Sequence, residues 1–365
     1  MAVLSRLSID SVKWEEFFIG GENGLFRINS TKSGIDKNKI IEFGGCIPYI
    51  TRSSVNNGVD MFIGEKQREE YEKNNGNVIT IGLDTQTVFY QPNDFFTGQN
   101  IQILENKFLN KEIALFLVPL LKIQIQKFSW GSTGATLTRL NRTKILLPID
   151  SGGKPNWQFM EDYVKQEQKI QLQKIVNYYA QRMIECDYDL LNLEDMEWKE
   201  FWLEDIVDIK SGVRLTKADQ KSGKRPFIGS TDGNNGVTSF VSNINNSLDN
   251  NLLGVNYNGS VVDNFYHPYE CVFSDDVKRL HFKDKTARNK YCYLFLKQCI
   301  LKQKSKYTYG YKFKATRMKR QKIILPVDEN KNPHWEYMRQ FMQKLESEKI
   351  GQLINYYNKR LKELE

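Results

Sequence analysis

The side chains of this chain best suited to chemistry are cations mixed with aromatics and hydroxyls, and they fall in two stretches. The first holds Lys127, Trp130, Ser132, Thr133, Thr136, Thr138, Arg139, Arg142 and Lys144. The second is denser: Lys302, Lys304, Lys306, Tyr307, Tyr309, Tyr311, Lys312, Lys314, Arg317, Lys319, Arg320 and Lys322, with no acid between Asp284 and Asp328. Lys and Arg neutralise backbone phosphates and release counterions, giving affinity without sequence information, whereas Ser, Thr, Asn, Gln and Arg hydrogen-bond to base edges. The mixture suits double-stranded DNA. An ordinary solvated basic face is the alternative for either run taken alone. Two Asn-rich loops, residues 51–58 and 230–236, add a second rank of contacts: Arg52, Ser53, Asn56 and Asn57 in one, Thr231, Asn234 and Asn235 in the other. These side chains fit adenine or guanine edges, but the same residues make good hairpin turns. Arg52 set against Thr231 marks where the two loops differ.

Catalytic constellations are weaker. Asp94 with Glu105 and Lys107, and Asp263 with Asp276 and Lys278, are loose carboxylate–lysine sets of the kind a nuclease uses. Neither recurs at the matching place of the other stretch. A cofactor loop of the Phe-x-Gly-x-Gly kind, an (Asn/Asp/Ser)-Pro-Pro-(Tyr/Phe) pocket for a flipped base, a Gly-x-Ser-x-Gly elbow and a phosphate-binding Gly-x4-Gly-Lys-Ser/Thr loop do not occur. The five cysteines show no Cys-x-x-Cys spacing and only three histidines accompany them, so they read as reduced thiols and no metal site is expected. No cofactor is expected in this chain.

Composition agrees with a folded, polyanion-seeking protein. The 365 residues carry a formal charge of +8, with 40% hydrophobic and 12% aromatic residues, enough for real cores in two or three domains. No apolar stretch is long enough to span a membrane, and a cytoplasmic location is the expectation. A protein-only adaptor whose basic charge is incidental is the remaining alternative.

The elements that would position these residues are duplicated. Ile145-Leu-Leu-Pro-Ile-Asp150, Lys154-Pro-Asn-Trp157 and Phe159-Met160 return as Ile323-Ile-Leu-Pro-Val-Asp328, Asn332-Pro-His-Trp335 and Tyr337-Met338, each 178 positions on. The same offset carries Asn56-Asn57-Gly58 onto Asn234-Asn235-Gly236, Arg139 and Arg142 onto Arg317 and Arg320, and Asn177-Tyr-Tyr179 onto Asn355-Tyr-Tyr357. One constant offset without slippage is therefore expected across each copy, with openings Trp14-Glu-Glu-Phe17 and Trp198-Lys-Glu-Phe201 related by 184 instead. Each copy begins with short β-type runs between Asn/Gly turns, reaches a proline corner that ends the globular part, and enters a long helix. The first helix is expected from Asn156 to about Ile184, with Phe159, Tyr163, Ile170, Val176 and Tyr179 on one stripe. The second runs from Trp335 to Leu364, with Met338, Met342, Leu345, Leu353 and Tyr357. Each stripe needs a partner: the core of its own domain, or the equivalent stripe of the other copy.

The ordered, duplicated motifs resemble the specificity (S) subunits of type I and BcgI-like type IIB restriction–modification systems, over nearly the whole chain. The resemblance rests on the Trp-x-x-Phe openings, the Leu-Pro-(Ile/Val)-Asp segments, the Pro-x-Trp-x-(Phe/Tyr)-Met helix entries and the late Asn-Tyr-Tyr. It implies an α+β protein: two pseudo-symmetric mixed α/β target-recognition domains, separated by two long helices packed as an antiparallel pair. The expected boundaries are 1–155 for the first domain, 156–195 for the central helix and linker, 196–333 for the second domain and 334–365 for the last helix. The resemblance further implies no catalysis in this chain. Each domain would read half of a bipartite DNA site, and the helices would dock methyltransferase or methyltransferase–nuclease subunits. Those partners would supply the S-adenosylmethionine and magnesium sites.

Overall fold

A computed structural model describes residues 6–31, 33–128, 134–186, 188–308 and 310–364. The chain divides into two compact units. Unit 1 comprises residues 1–175 with Asn358–Glu365, and unit 2 comprises Val176–Tyr357.

Unit 1 is built from β1 (Trp14–Phe18), β2 (Arg27–Ser30), β3 (Phe43–Ile50), β4 (Val59–Ile63), β5 (Val78–Gly82), β6 (Val88–Gln91), β7 (Phe96–Thr97), β8 (Ile101–Glu105), α1 (Lys111–Ile125), α2 (Leu137–Arg142), β9 (Lys144–Pro148) and most of α3 (Trp157–Ala180). Its strands form a four-stranded sheet in the order β2-β8-β5-β6, a three-stranded sheet β4-β3-β7 and the pair β1-β9. Every residue of β5 is buried, and its one polar side chain, Thr80, is satisfied by donating to Phe89 O and accepting from Gln91 Nε2. Helix α1 starts where Asn110 accepts the Ile113 amide at 2.8 Å. It lays Ile113, Leu117, Leu121 and Ile125, four residues apart, into the main core beside Ile79, Ile81, Leu104, Leu140 and Met160.

Unit 2 repeats this plan with β10 (Trp198–Trp202), α4 (Leu203–Ile206), β11 (Val207–Ser211), β12 (Ser222–Ile228), β13 (Val237–Val241), β14 (Leu252–Asn256), β15 (Asn264–His267), β16 (Val272–Phe273), β17 (Val277–Phe282), α5 (Lys290–Leu301), α6 (Ala315–Lys319), β18 (Lys322–Pro326) and α7 (Trp335–Lys362). The sheets are β11-β17-β14-β15, β13-β12-β16 and β10-β18. Asn289 caps α5 as Asn110 caps α1, accepting the Tyr291 and Cys292 amides. Among the described residues no helix is long and apolar enough to cross a membrane.

The repeat holds, but the constant offset does not. β5 and β14 begin 174 residues apart, β6 and β15 176, and the caps Asn110 and Asn289 179, before α3 and α7 return to 178. Loops of different length compensate one another, and identical motifs at the two ends concealed the slippage. The openings, 184 apart, are nonetheless equivalent: Trp14 faces Pro148 across β1-β9 and Trp198 faces Pro326 across β10-β18. The first long helix also ends four residues early, at Ala180, where Gln181 and Arg182 form a turn.

Candidate nucleic-acid interface

Within the described part of each basic stretch lies a short helix, α2 or α6, pinned by buried side chains. In unit 1 Ala135 and Leu140 are buried, which turns Thr136 and Arg142 outward. In unit 2 Phe313 and Met318 take the buried places, and Tyr311, Lys314, Lys319 and Arg320 are exposed. The two conspicuous arginines are anchors as well as charges. Arg139 Nη1 donates to Gly134 O at 2.9 Å, and Arg317 Nη1 donates to Lys312 O at 2.7 Å. Arg317 also lies 3.7 Å over the Tyr311 ring, which stacks on Tyr307. Lys144 is exposed but pairs with Glu16 at 3.2 Å and sits over Phe18, as Lys322 pairs with Glu200 at 2.7 Å over Trp202. The expected contacts Trp130, Ser132, Thr133 and Tyr309 lie outside the described residues.

The Asn-rich loops are more structural than their composition suggests. Asn56, Asn57 and Gly58 are three consecutive left-handed residues, and so are Asn234, Asn235 and Gly236. Asn and Gly are the residues that adopt this backbone at least cost. Asn57 Nδ2 donates to Tyr90 O at 2.8 Å, and Asn235 Nδ2 reaches Tyr266 O and Tyr269 Oη at 3.4 and 3.0 Å. These two amides therefore tie the hairpin to the segment beside it, although Asn57 and Asn235 are exposed like their neighbours Asn56 and Asn234. The pairing of Arg52 with Thr231 is also corrected. Ser53 Oγ accepts the Val55 amide and Thr231 Oγ1 accepts the Gly233 amide, both at 3.3 Å, so Thr231 is the counterpart of Ser53, and Arg52 corresponds to Ser230.

A loop that sequence reading left out joins the two ranks of contacts. Between β5 and β6, Asp84 forms an ion pair with Arg52, Leu83 O accepts the Ala135 amide at 3.5 Å and Gln86 Nε2 donates to Phe128 O. The Asn-rich loop and the foot of the basic stretch thus meet the same segment. In unit 2 the loop between β14 and β15 holds Asp263, which pairs with Lys304 at 2.7 Å, while Thr231 O accepts Asn256 Nδ2 at 3.0 Å. The sequence carried no local signal for this segment, because Asp84 and Arg52 meet only through the fold.

The carboxylate–lysine sets are dispersed into separate structural roles. Asp94 accepts the Gly76 amide at 2.8 Å, Glu105 lies opposite Arg27 in the β2–β8 pair, and Lys107 sits over Phe108. Asp263 is held by Lys304 and Asp276 by Asn258, while buried Lys278 donates to Ser211 Oγ at 2.9 Å over the Tyr257 ring. Burial lowers the Lys278 pKa from its ordinary value, partly offset by Asp275 and Asp276.

The family described as the type I restriction modification DNA specificity domain matches this chain twice, over residues 11–176 and 196–355. The chain belongs to that family. It is a DNA-specificity subunit with two target-recognition domains and no catalytic role of its own. It is 44% identical over 341 residues to the specificity subunit S.BcgI of a type II restriction enzyme from Heyndrickxia coagulans, covering 93% of this chain and 96% of that one. The fold is similar to that of a type I restriction–modification S subunit from M. genitalium, with a TM-score of 0.55 at 16% identity, over 98% of this chain and 95% of the other.

The motifs that mark this specificity subunit as a family member do scaffold work. Asp150 Oδ1 accepts the Gly152 and Lys154 amides, and Asp328 Oδ1 accepts those of Asn330 and Asn332, which closes each proline corner. Asn156 then caps α3 through the Phe159 amide, and His334 Nδ1 caps α7 through that of Tyr337. The helix stripes are divided in purpose. Phe159 is buried and stacks on Tyr163, which meets Phe116 edge-on, while Met338 belongs to the unit 2 core with Met342 packed against it. Ile170 and Tyr179 are half-buried, Val176 is buried, and Tyr357 is half-buried. Leu345 and Leu353 stay exposed. Met342 and Leu345 line an apolar cavity of about 590 Å³ with Leu193, Trp198, Phe295 and Ile324.

Proposed function

We propose that each unit reads one half of a bipartite DNA site through its short basic helix and the loops beside it, and so directs methyltransferase or methyltransferase–nuclease subunits to that site. The observation that carries this reading is the duplicated arrangement of exposed polar and cationic side chains, Thr136 and Arg142 in one unit and Lys314, Lys319 and Arg320 in the other, on equivalently anchored helices. Arg139 and Arg317 keep the loops in shape for those contacts, and Asn57 and Asn235 brace the scaffold. Asn56, Asn234, Ser53 and Thr231 are second-rank contacts. The different surface residues on one scaffold fit two readers of different sequences.

Helices α3 and α7 pair antiparallel as a spacer and carry the surface on which the partner subunits dock, the exposed Leu345 and the cavity beside it included. The 24 residues of α3 and 28 of α7 span about 36 and 42 Å at ~1.5 Å per residue. That is roughly one turn of DNA, or 11 to 12 base pairs at ~3.4 Å each. Tethering makes the second half-site contact intramolecular, so both halves together bind far more tightly than either. S-adenosylmethionine and magnesium would be held by the partners, and the whole assembly would act in the cytoplasm.

The test is selection of bound sequences by the full chain from a pool of random duplexes, followed by anisotropy titration. A two-part consensus is expected. Lys314→Ala and Lys319→Ala should weaken binding to every duplex alike and lower the salt slope by about 0.9 for each phosphate no longer neutralised. Binding that is indifferent to salt would return the protein-only adaptor to favour.

A further inference from the structure

The loop between β5 and β6 and the loop between β14 and β15 each hold a cation of the face that meets DNA on the reading above. In unit 1 Asp84 pairs with Arg52 of the Asn-rich loop; the acid is 19% exposed and the arginine 42%. In unit 2 Asp263 takes two hydrogen bonds from Lys304, at 2.7 and 2.9 Å, with the acid 14% exposed and the lysine 54%. In both units the acid is the sheltered partner and the cation the exposed one.

The two arrangements are not copies of one sequence motif. Arg52 comes from the Asn-rich loop and Lys304 from the foot of the basic stretch, and the loops carrying the acids have five and seven residues between their strands. What they share is one left-handed residue at the same place in the loop. Gln86 and Val262 each stand two residues before the following strand in left-handed conformation, at φ 56° and 72°. A β-branched, fully buried valine there is a strained choice, held only because its surroundings determine it. Each acid thus comes from a loop with a left-handed turn and faces a long, exposed cationic side chain.

We propose, on the reading of the preceding section, that Asp84 and Asp263 are specificity-determining residues. Each withholds one cation from phosphate until the correct half-site docks. A released Arg52 or Lys304 would contact phosphate on any sequence, adding affinity without information. A carboxylate that holds the cation and itself repels phosphate taxes every unspecific encounter. An exposed ion pair is weak in water, so the additional contacts of a correct half-site are enough to exchange it.

The test uses the full chain and two duplexes, one bearing the selected site and one unrelated, titrated between 50 and 200 mM salt. Asp84→Asn is expected to raise affinity for the unrelated duplex more than for the selected one, lowering their ratio. The unrelated duplex should also lose binding about 3.5-fold more steeply across that salt range, the effect of one added phosphate contact. In an Arg52→Ala background the same substitution should do neither. Equal gains in both backgrounds would mean that charge acts at long range and would overturn the latch, as would no gain at all. Asp263→Asn with and without Lys304→Ala repeats the cycle in unit 2, so a misfolded variant in one unit does not leave the idea unexamined. If the wild-type chain failed to prefer the selected duplex, the DNA-reading assignment would fall together with the latch. An absent latch with intact wild-type preference would remove the latch alone.

Discussion

His267 makes the stability of unit 2 depend on pH in a calculable way. The ring is fully buried, packs edge-on against Tyr269 and Phe273, and has no hydrogen-bond partner at either nitrogen. Burial, reinforced by Lys297, pushes its pKa down to about 4 from the ordinary 6.5. The unfolded chain therefore takes up a proton below pH 6.5 that the folded chain refuses. The full stability is present above pH 6.5 and is lost as pH falls towards 4. The gap of about 2.5 pKa units, at ~1.36 kcal/mol each, corresponds to about 3 kcal/mol. Asn235 leans on Tyr266 and Tyr269 on either side of this histidine, so acid would loosen the Asn-rich loop of unit 2 first. Unit 1 has Gln91 in the equivalent place, donating to Asn57 O and Thr80 Oγ1 at 3.1 Å, and should lack the effect. The assay is urea unfolding of wild type and His267→Gln from pH 7.5 to 4.5, read by hydrogen exchange of β14 and β15 peptides. The free-energy difference between the two proteins should shift in favour of the variant by about 1.4 kcal/mol per pH unit below 6.5. Parallel pH profiles would refute the reasoning.

Two further perturbations follow from comparing the copies. Gly254 stands where unit 1 has Thr80, and a Cβ there would lie 3.0 Å from His267 Nε2 and 3.2 Å from Phe273; Gly254→Thr alone should cost about 1–3 kcal/mol. Joined to His267→Gln it recreates the Gln–Thr pair of unit 1, and strictly additive denaturation energies would count against that account. Arg317→Lys removes a fork that holds Lys312 O and covers Tyr311, so it should cost about 1.5 kcal/mol locally. Faster hydrogen exchange at residues 311–314 with an unchanged melting temperature is the expected result, and unchanged exchange there would deny Arg317 its anchoring role.

Duplication, the proline corners, the helix entries and the basic stretches were all legible in the sequence. Each depends on neighbours in the chain: a proline that cannot continue a ladder, an Asp that caps its own turn, an apolar residue every third or fourth place. The same local rules do not show that the exposed Asn57 and Asn235 amides also bond to the segments beside them. They also could not reveal the slipping offset, since compensating loops cancel in a count along the chain. What only the tertiary structure decided is which charges stand free. Arg52 and Lys304 look alike in a list of cations, yet each is held by an acid 32 or 41 residues away in sequence. That distance is closed by docking of the Asn-rich loop on β6 through Asn57 and of α5 on β15 through Tyr293. The sequence by itself determined that there are two polyanion-seeking units on one plan. The folding of remote loops onto one another determined how each unit presents its charge, because an ion pair depends on separation in space and not along the chain.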